Sequence, residues 1–314
     1  MKGVVRSLVF LFCVPLCACK NGNASNTRIC GEAAQDTVKA IVLPAIPPMF
    51  TTIEQRADFL VKHYWDNVNF ADTNYIHHPD VTEQAWVDYC DLLKHVPLSV
   101  AQDAVRATIK RTEADKKVFV YITDLADKYL YDPNSPMRNE EHYIPVLDAM
   151  IASPLLDETE KIRPRARREL AQKNRRGTKA LDFSYTTASG AQGSLYGVKA
   201  AYTLLFINNP GCYACTAAIE ELKTAPTISS LHRNNRLAVL SVYPDDEPEE
   251  WKKHLADFPK SWINGYDKHT AIKNRQIYDL KAIPTLYLLD REKNVLLKDA
   301  TVQAIEEYLS TTAR

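Results

Sequence analysis

Glycine is scarce in this chain, with nine residues in 314. A Gly-rich loop that wraps phosphate is therefore not expected, and neither G-x-x-x-x-G-K-[ST] nor G-x-G-x-x-G occurs. An excess of either charge is lacking too, since 39 Lys and Arg balance 39 Asp and Glu. Without a basic excess there is no electrostatic case for binding nucleic acid. Only one Cys-x-x-Cys string occurs in the mature region, and no second ligand pair of comparable spacing completes a zinc site. No metal and no cofactor is expected. What is present is the composition of a folded protein, with 46% hydrophobic and 25% charged residues. The length exceeds what one core usually organises, so two domains are expected.

Residues 1–19 read as a targeting segment. Lys2 and Arg6 precede an apolar stretch at residues 8–16, LVFLFCVPL, which is too short to span a bilayer. Leu16-Cys17-Ala18-Cys19 follows and resembles a bacterial lipobox. That resemblance implies a lipoprotein signal peptide, with Cys19 lipidated as the mature N-terminus. Lipid chains contribute about 0.8 kcal/mol per buried methylene, so two or three of them tether a soluble protein firmly to a membrane. The expected location is the cell envelope, lipid-anchored and facing the periplasm. Lys20 stands where inner-membrane lipoproteins typically carry aspartate, which favours the outer membrane. Export also changes the reading of the seven cysteines. Cys13 and Cys17 leave with the signal, while Cys30, Cys90, Cys212 and Cys215 enter a compartment that tolerates disulfides. A Cys30–Cys90 bond stays open as an alternative, because spacing does not establish proximity.

Residues 20–50 are polar and then proline-rich, the pattern of a spacer. Residues 51–176 predict an all-helical domain of unknown function. Ile53, Ala57, Leu60, Val61 and Tyr64 fall on one helical face, and Val118, Ile122, Leu125, Ala126 and Tyr129 repeat the same offsets. Further helical stretches lie near 82–95, 98–111, 140–152 and 157–175, separated by prolines. The last carries a basic run from Arg163 to Arg176, read as a solvated face with contact to anionic lipid as the alternative. Gly177 is the expected helix stop.

From residue 177 to 314 the pattern changes to strands alternating with helices, an α/β sheet flanked by helices. Strands are expected at 181–187, 201–207 and 236–243, a closing hairpin at 284–290 and 294–298, and a terminal helix at 301–309. The chemistry sits in YTLLFINNPGCYACTAAIEELK, residues 202–223. An apolar strand runs into Asn208-Asn209-Pro210-Gly211, and Cys212 and Cys215 open a helix. Free amides and the positive end of a helix dipole favour a thiolate at Cys212. Cys215, one turn on, is placed to resolve a mixed disulfide formed there. A static structural disulfide is the competing account.

Ile283-Pro284-Thr285 precedes the apolar strand LYLLD. With the Cys-x-x-Cys it makes residues 177–310 resemble the thioredoxin superfamily, in particular the membrane-tethered TlpA/ResA type of periplasmic thioredoxin. Leu181-Asp182-Phe183 stands at that type's A-x-D-F position, and the step of 72 positions from Cys212 to Pro284 leaves room for its inserted strand and helix. The resemblance implies a thioredoxin fold at the C-terminus. It further implies a cis-proline at Pro284, with Ile283, Tyr213 and Ala214 facing substrate beside the catalytic Cys212 and Cys215. Protein disulfides would be the substrates and a membrane electron donor the partner. Two departures stand out. Tyr213-Ala214 replaces the usual Gly-Pro between the cysteines, and Phe206 falls near the position of the buried acid of thioredoxin. The residues before Cys212 do not fit the P-x-x-x-T/S-x-x-C pattern of peroxiredoxins. The expected function is a thiol-disulfide oxidoreductase that reduces protein disulfides, direction open. The alternative is a partner-binding lipoprotein whose thioredoxin-like part senses or stabilises without turnover.

Overall fold

The structure, a computed structural model, describes residues 40–313. Cys19 and Cys30 lie outside the described residues, as do the signal segment and most of the spacer.

Six helices come first: α1 (Ile53–His63), α2 (Pro79–Leu92), α3 (Leu98–Thr112), α4 (Lys116–Ala126), α5 (Glu140–Ala152) and α6 (Ile162–Gln172). Three of these starts, on α1, α4 and α5, are set by side chains that take up free backbone amides. Thr52 and Gln55 form a reciprocal capping box on α1. Asp115 accepts from the amides of Lys117 and Val118 at the head of α4, and Asn139 accepts from His142 at the head of α5. Pro145 lies inside α5 and cannot donate to the carbonyl of Glu141. Gln102 of α3 supplies the missing donor, its Nε2 lying 2.9 Å from that oxygen. Helices α1 to α5 close on one core drawn from residues 61–156, in which Trp65, Trp86 and Tyr89 pack ring against ring.

Three expectations are corrected in this half. Ile53 is 78% exposed rather than on the buried face, because α1 begins at this residue and its packed turns start at Ala57. Helix α6 ends at Gln172, before Gly177; Asn174, buried and at φ +52°, turns the chain instead. The basic run is only in part a solvated face: Arg163, Arg165 and Arg176 are exposed, whereas Arg167, Arg168 and Arg175 are half-buried against acidic partners. Arg165 pairs with Glu158 at 2.7 Å, Arg168 with Asp148 at 2.5 Å and Arg175 with Glu141 at 2.5 Å. Arg167 pairs with Asp127 and lies 4.2 Å over the Tyr131 ring.

The remainder builds a sheet with helices on both sides. Its elements are β1 (Ser184–Thr187), β2 (Gln192–Ser194), β3 (Tyr202–Ile207), α7 (Tyr213–Thr224), α8 (Pro226–Arg233), β4 (Leu237–Tyr243), α9 (Pro248–Lys253), β5 (Ile263–Tyr266), α10 (Ala271–Asn274), β6 (Thr285–Leu289), β7 (Val295–Lys298) and α11 (Val302–Thr312). The strand order is β2-β1-β5-β4-β3-β6-β7. Strands β3, β4 and β5 run parallel, whereas β6 pairs antiparallel with β3 and β7 with β6. Side chains alternate across the strands. Leu204 and Phe206 of β3 enter a core with α7, α8 and α11, and Leu205 and Ile207 enter a second core on the opposite face. Both of these cores draw on residues 180–313 and none from the helical half, although the two halves belong to one compact unit. The C-terminal half therefore has the mixed, helix-flanked sheet expected of the thioredoxin fold.

Candidate active site

Central strand β3 delivers the chain to the site. Asn208, buried just after it, donates its amide to the Val242 carbonyl at 3.1 Å and its Nδ2 to Phe206 O at 3.0 Å and Ser241 Oγ at 2.8 Å. Gly211 then takes φ +67°, the left-handed conformation that glycine adopts without a Cβ penalty. Cys212 follows as the N-cap of α7.

The cap is made by sulfur. The Cys215 amide donates to Cys212 Sγ at 3.2 Å, and the Thr216 amide donates to the Cys212 carbonyl at 3.0 Å. An amide aimed at sulfur meets negative charge as it develops there. Both cysteines are free thiols. Cys212 is half-buried and reachable, whereas Cys215 is 2% exposed and packs with Phe206, Ala218 and Ile219. Burial, and then the hydrogen bond with Cys212, push the Cys215 thiol up to about 12. Tyr213 and Ala214 lie between the cysteines with their side chains in the open, Tyr213 at 89% exposure.

Opposite α7, the chain enters β6 through Ile283–Pro284, a cis peptide. The Ile283 carbonyl lies 3.8 Å from Cys212 Sγ and accepts from its thiol. So the structure brings Cys212, Cys215, Ile283 and Pro284 together, with Tyr213 and Ala214 at the same end of α7. Phe206 is fully buried and stacks edge-on with Trp262 at 6.2 Å, which leaves the far side of Cys215 apolar. Cys90 belongs to the helical core, where burial raises its thiol well above the ordinary value.

A family model described as Domain of unknown function (DUF5106) matches residues 18–174. A thioredoxin-like protein from Bacteroides caccae ATCC 43185 is 72% identical to this chain. The match covers 88% of this chain and 100% of the other, with a TM-score of 0.86. The chain belongs to the DUF5106 family. Also similar is the C-terminal domain of an uncharacterized protein from Bacteroides fragilis NCTC 9343, at 61% identity over 44% of this chain and 98% of that one, TM-score 0.43. The thioredoxin domain of a thiol-disulfide oxidoreductase from Bacteroides vulgatus is 22% identical over 43% and 97% of the two chains, TM-score 0.37. No curated protein matches.

In this DUF5106 protein Ile283 was expected beside the pair, whereas Asn209, Tyr278, Leu280 and Leu170 were not. A groove of about 400 Å³ borders it, lined among others by Asn209, Ile283, Tyr278 and Leu280, and by Leu170 from α6. Two of those residues touch Cys212 directly: its amide donates to Asn209 O at 3.4 Å, and its thiol to Ile283 O. No periodic pattern links Leu170 to Ile283, so nothing in the order of residues marks them as neighbours.

Proposed function

We propose that this protein is a thiol-disulfide oxidoreductase that reduces protein disulfides in the periplasm from a lipid anchor at Cys19. The observation that carries the redox reading is the pairing of a reachable Cys212 sulfur with a shielded Cys215 one turn away, the two linked through the 3.2 Å amide–sulfur contact.

The steps balance within the dithiol. Cys212 gives up its proton and its sulfur attacks one sulfur of the substrate disulfide. A mixed disulfide forms, the substrate bond breaks, and the released sulfur leaves as a thiolate that takes a proton. Cys215 then loses its proton and attacks the Cys212 sulfur, which frees the second substrate thiol. The protein is left with a Cys212–Cys215 disulfide, having passed two electrons to the substrate. A membrane-bound dithiol donor returns the pair to the reduced state.

Burial of the Cys215 thiol fits the order of events, because a resolving sulfur raised to about 12 does not compete for the first attack. The Ile283 peptide beside Cys212 supports docking of an extended substrate segment by strand-like hydrogen bonding.

The test is reduction of insulin with dithiothreitol as electron source. Turnover above the uncatalysed rate is expected, and it should vanish in Cys212→Ser. A Cys215→Ala variant should accumulate mixed disulfides with envelope proteins. Failure of the intact protein to accelerate insulin reduction removes the reading. The anchor is tested separately, by radiolabelled fatty-acid incorporation that Cys19→Ala abolishes.

A further inference from the structure

The groove beside Cys212 has one wall that does not come from the thioredoxin-like half. Asn209, Tyr278, Leu280 and Ile283 of the C-terminal half line it, and Leu170 of α6 lines it as well.

The segment 276–283, which carries Tyr278, Leu280 and Ile283, is held by the helical half at several points. Lys173 Nζ donates to Gln276 O at 3.1 Å, and the buried Asn174 donates to Ile277 O at 2.7 Å. Further along, Lys281 Nζ reaches Glu140, the first residue of α5, at 3.3 Å, and lies 4.8 Å over the Tyr131 ring. Asp279 and Asp299 complete the ring of carboxylates around that ammonium, at 2.9 and 3.7 Å. Two residues beyond Lys281 is the Ile283 carbonyl that faces the Cys212 sulfur.

We propose that the helical half is a specificity element of the redox site. It fixes segment 276–283 from outside, and it lends Leu170 to a groove in which an extended polypeptide segment flanking the target disulfide lies beside Cys212. The proposal rests on the oxidoreductase reading above. The occupant is a polypeptide because the groove offers what a backbone in extended form uses: a carbonyl at Ile283 and apolar surface at Leu170 and Leu280 for one side chain. A small disulfide needs none of these and reaches Cys212 without the groove.

The experiment compares two oxidised probes on the full chain, insulin and 2-hydroxyethyl disulfide, each with dithiothreitol as the dithiol reductant. Leu170→Glu places a carboxylate in the groove, and Leu170→Ser, a gentler change, serves if the first variant does not fold. The quantity read is the ratio of the insulin rate to the small-disulfide rate below saturation. It should fall about tenfold in Leu170→Glu and about threefold in Leu170→Ser, carried by KM for insulin rather than by kcat. A ratio unchanged in a folded variant, whether both rates hold or both fall together, overturns the proposal. If the native protein reduces neither probe, the oxidoreductase reading fails and this proposal falls with it. Normal reduction of the small disulfide with an unaltered ratio sinks the proposal alone.

Discussion

Phe206 of β3 and Cys215 of α7 share one apolar cluster behind the redox pair, and both are buried. A phenyl ring therefore backs the second sulfur where thioredoxins carry an acid, and burial holds the Cys215 thiol up at about 12. Among the three cysteines of the described residues, only Cys212 is reachable. Iodoacetamide at pH 7.5 should label Cys212 at least tenfold faster than Cys215 or Cys90, read by peptide mass spectrometry. Equal rates for Cys212 and Cys215 would contradict the assignment of attacking and resolving sulfurs.

Glu140 joins the halves electrostatically. Burial opposes its ionisation, yet Lys298 and Lys281 outweigh that and hold its carboxyl below the ordinary value. Removing it leaves two largely buried lysines short of a partner, a kind of change that costs roughly 3–5 kcal/mol. Glu140→Ala should sit near the lower end of that range at pH 7, because Asp279 and Asp299 still face Lys281. Urea denaturation gives the number, and a loss under about 1 kcal/mol would show that the network contributes little.

His142, on the same helix, sets a pH dependence. Burial, with Lys94 adding to it and Glu141 opposing, holds its imidazole down at about 4, against 6.5 for the free group. Between those values the unfolded chain binds a proton that the folded chain does not, so stability falls as pH drops through this window. The whole effect is on the order of 3 kcal/mol. Unfolding free energies from urea titrations at pH 7 and pH 4.5 should differ by about 2 kcal/mol more in the native protein than in His142→Phe, the rest of the effect falling below pH 4.5. Parallel pH profiles for the two would rule His142 out as the cause.

The cores of the C-terminal half draw on residues 180–313 alone, so a fragment of residues 177–314 should fold by itself. It should melt below the intact chain, since Lys281 and Lys298 lose Glu140, and Asp299 loses Arg138. Circular dichroism decides this. A fragment without regular structure would mean that the halves depend on each other to fold.

Most elements of this protein, and the chemistry of one string, are legible in the order of its residues. Apolar patterning placed helices at 98–111 and 140–152 and strands at 201–207 and 284–290, within a residue of where the chain forms them, because those patterns reflect which face each element buries. Cys212 and Cys215 were legible for the same local reason, since a strand, a turn and a helix in succession bring the first cysteine to a helix start. The resemblance put Phe206 near the position of thioredoxin's buried acid, and the structure adds that its ring shares a cluster with Cys215. What surrounds that string follows from the packing of distant segments. The basic run of α6 looked solvated, and its partners Asp127 and Asp148 come from other helices. Lys281 and Glu140 are 141 positions apart, and Leu170 meets the groove of Ile283 only because α6 ends against segment 276–283. Local patterns record burial, which every residue experiences alone, whereas an ion pair or a groove wall depends on which faces meet, and that is settled by how whole elements pack.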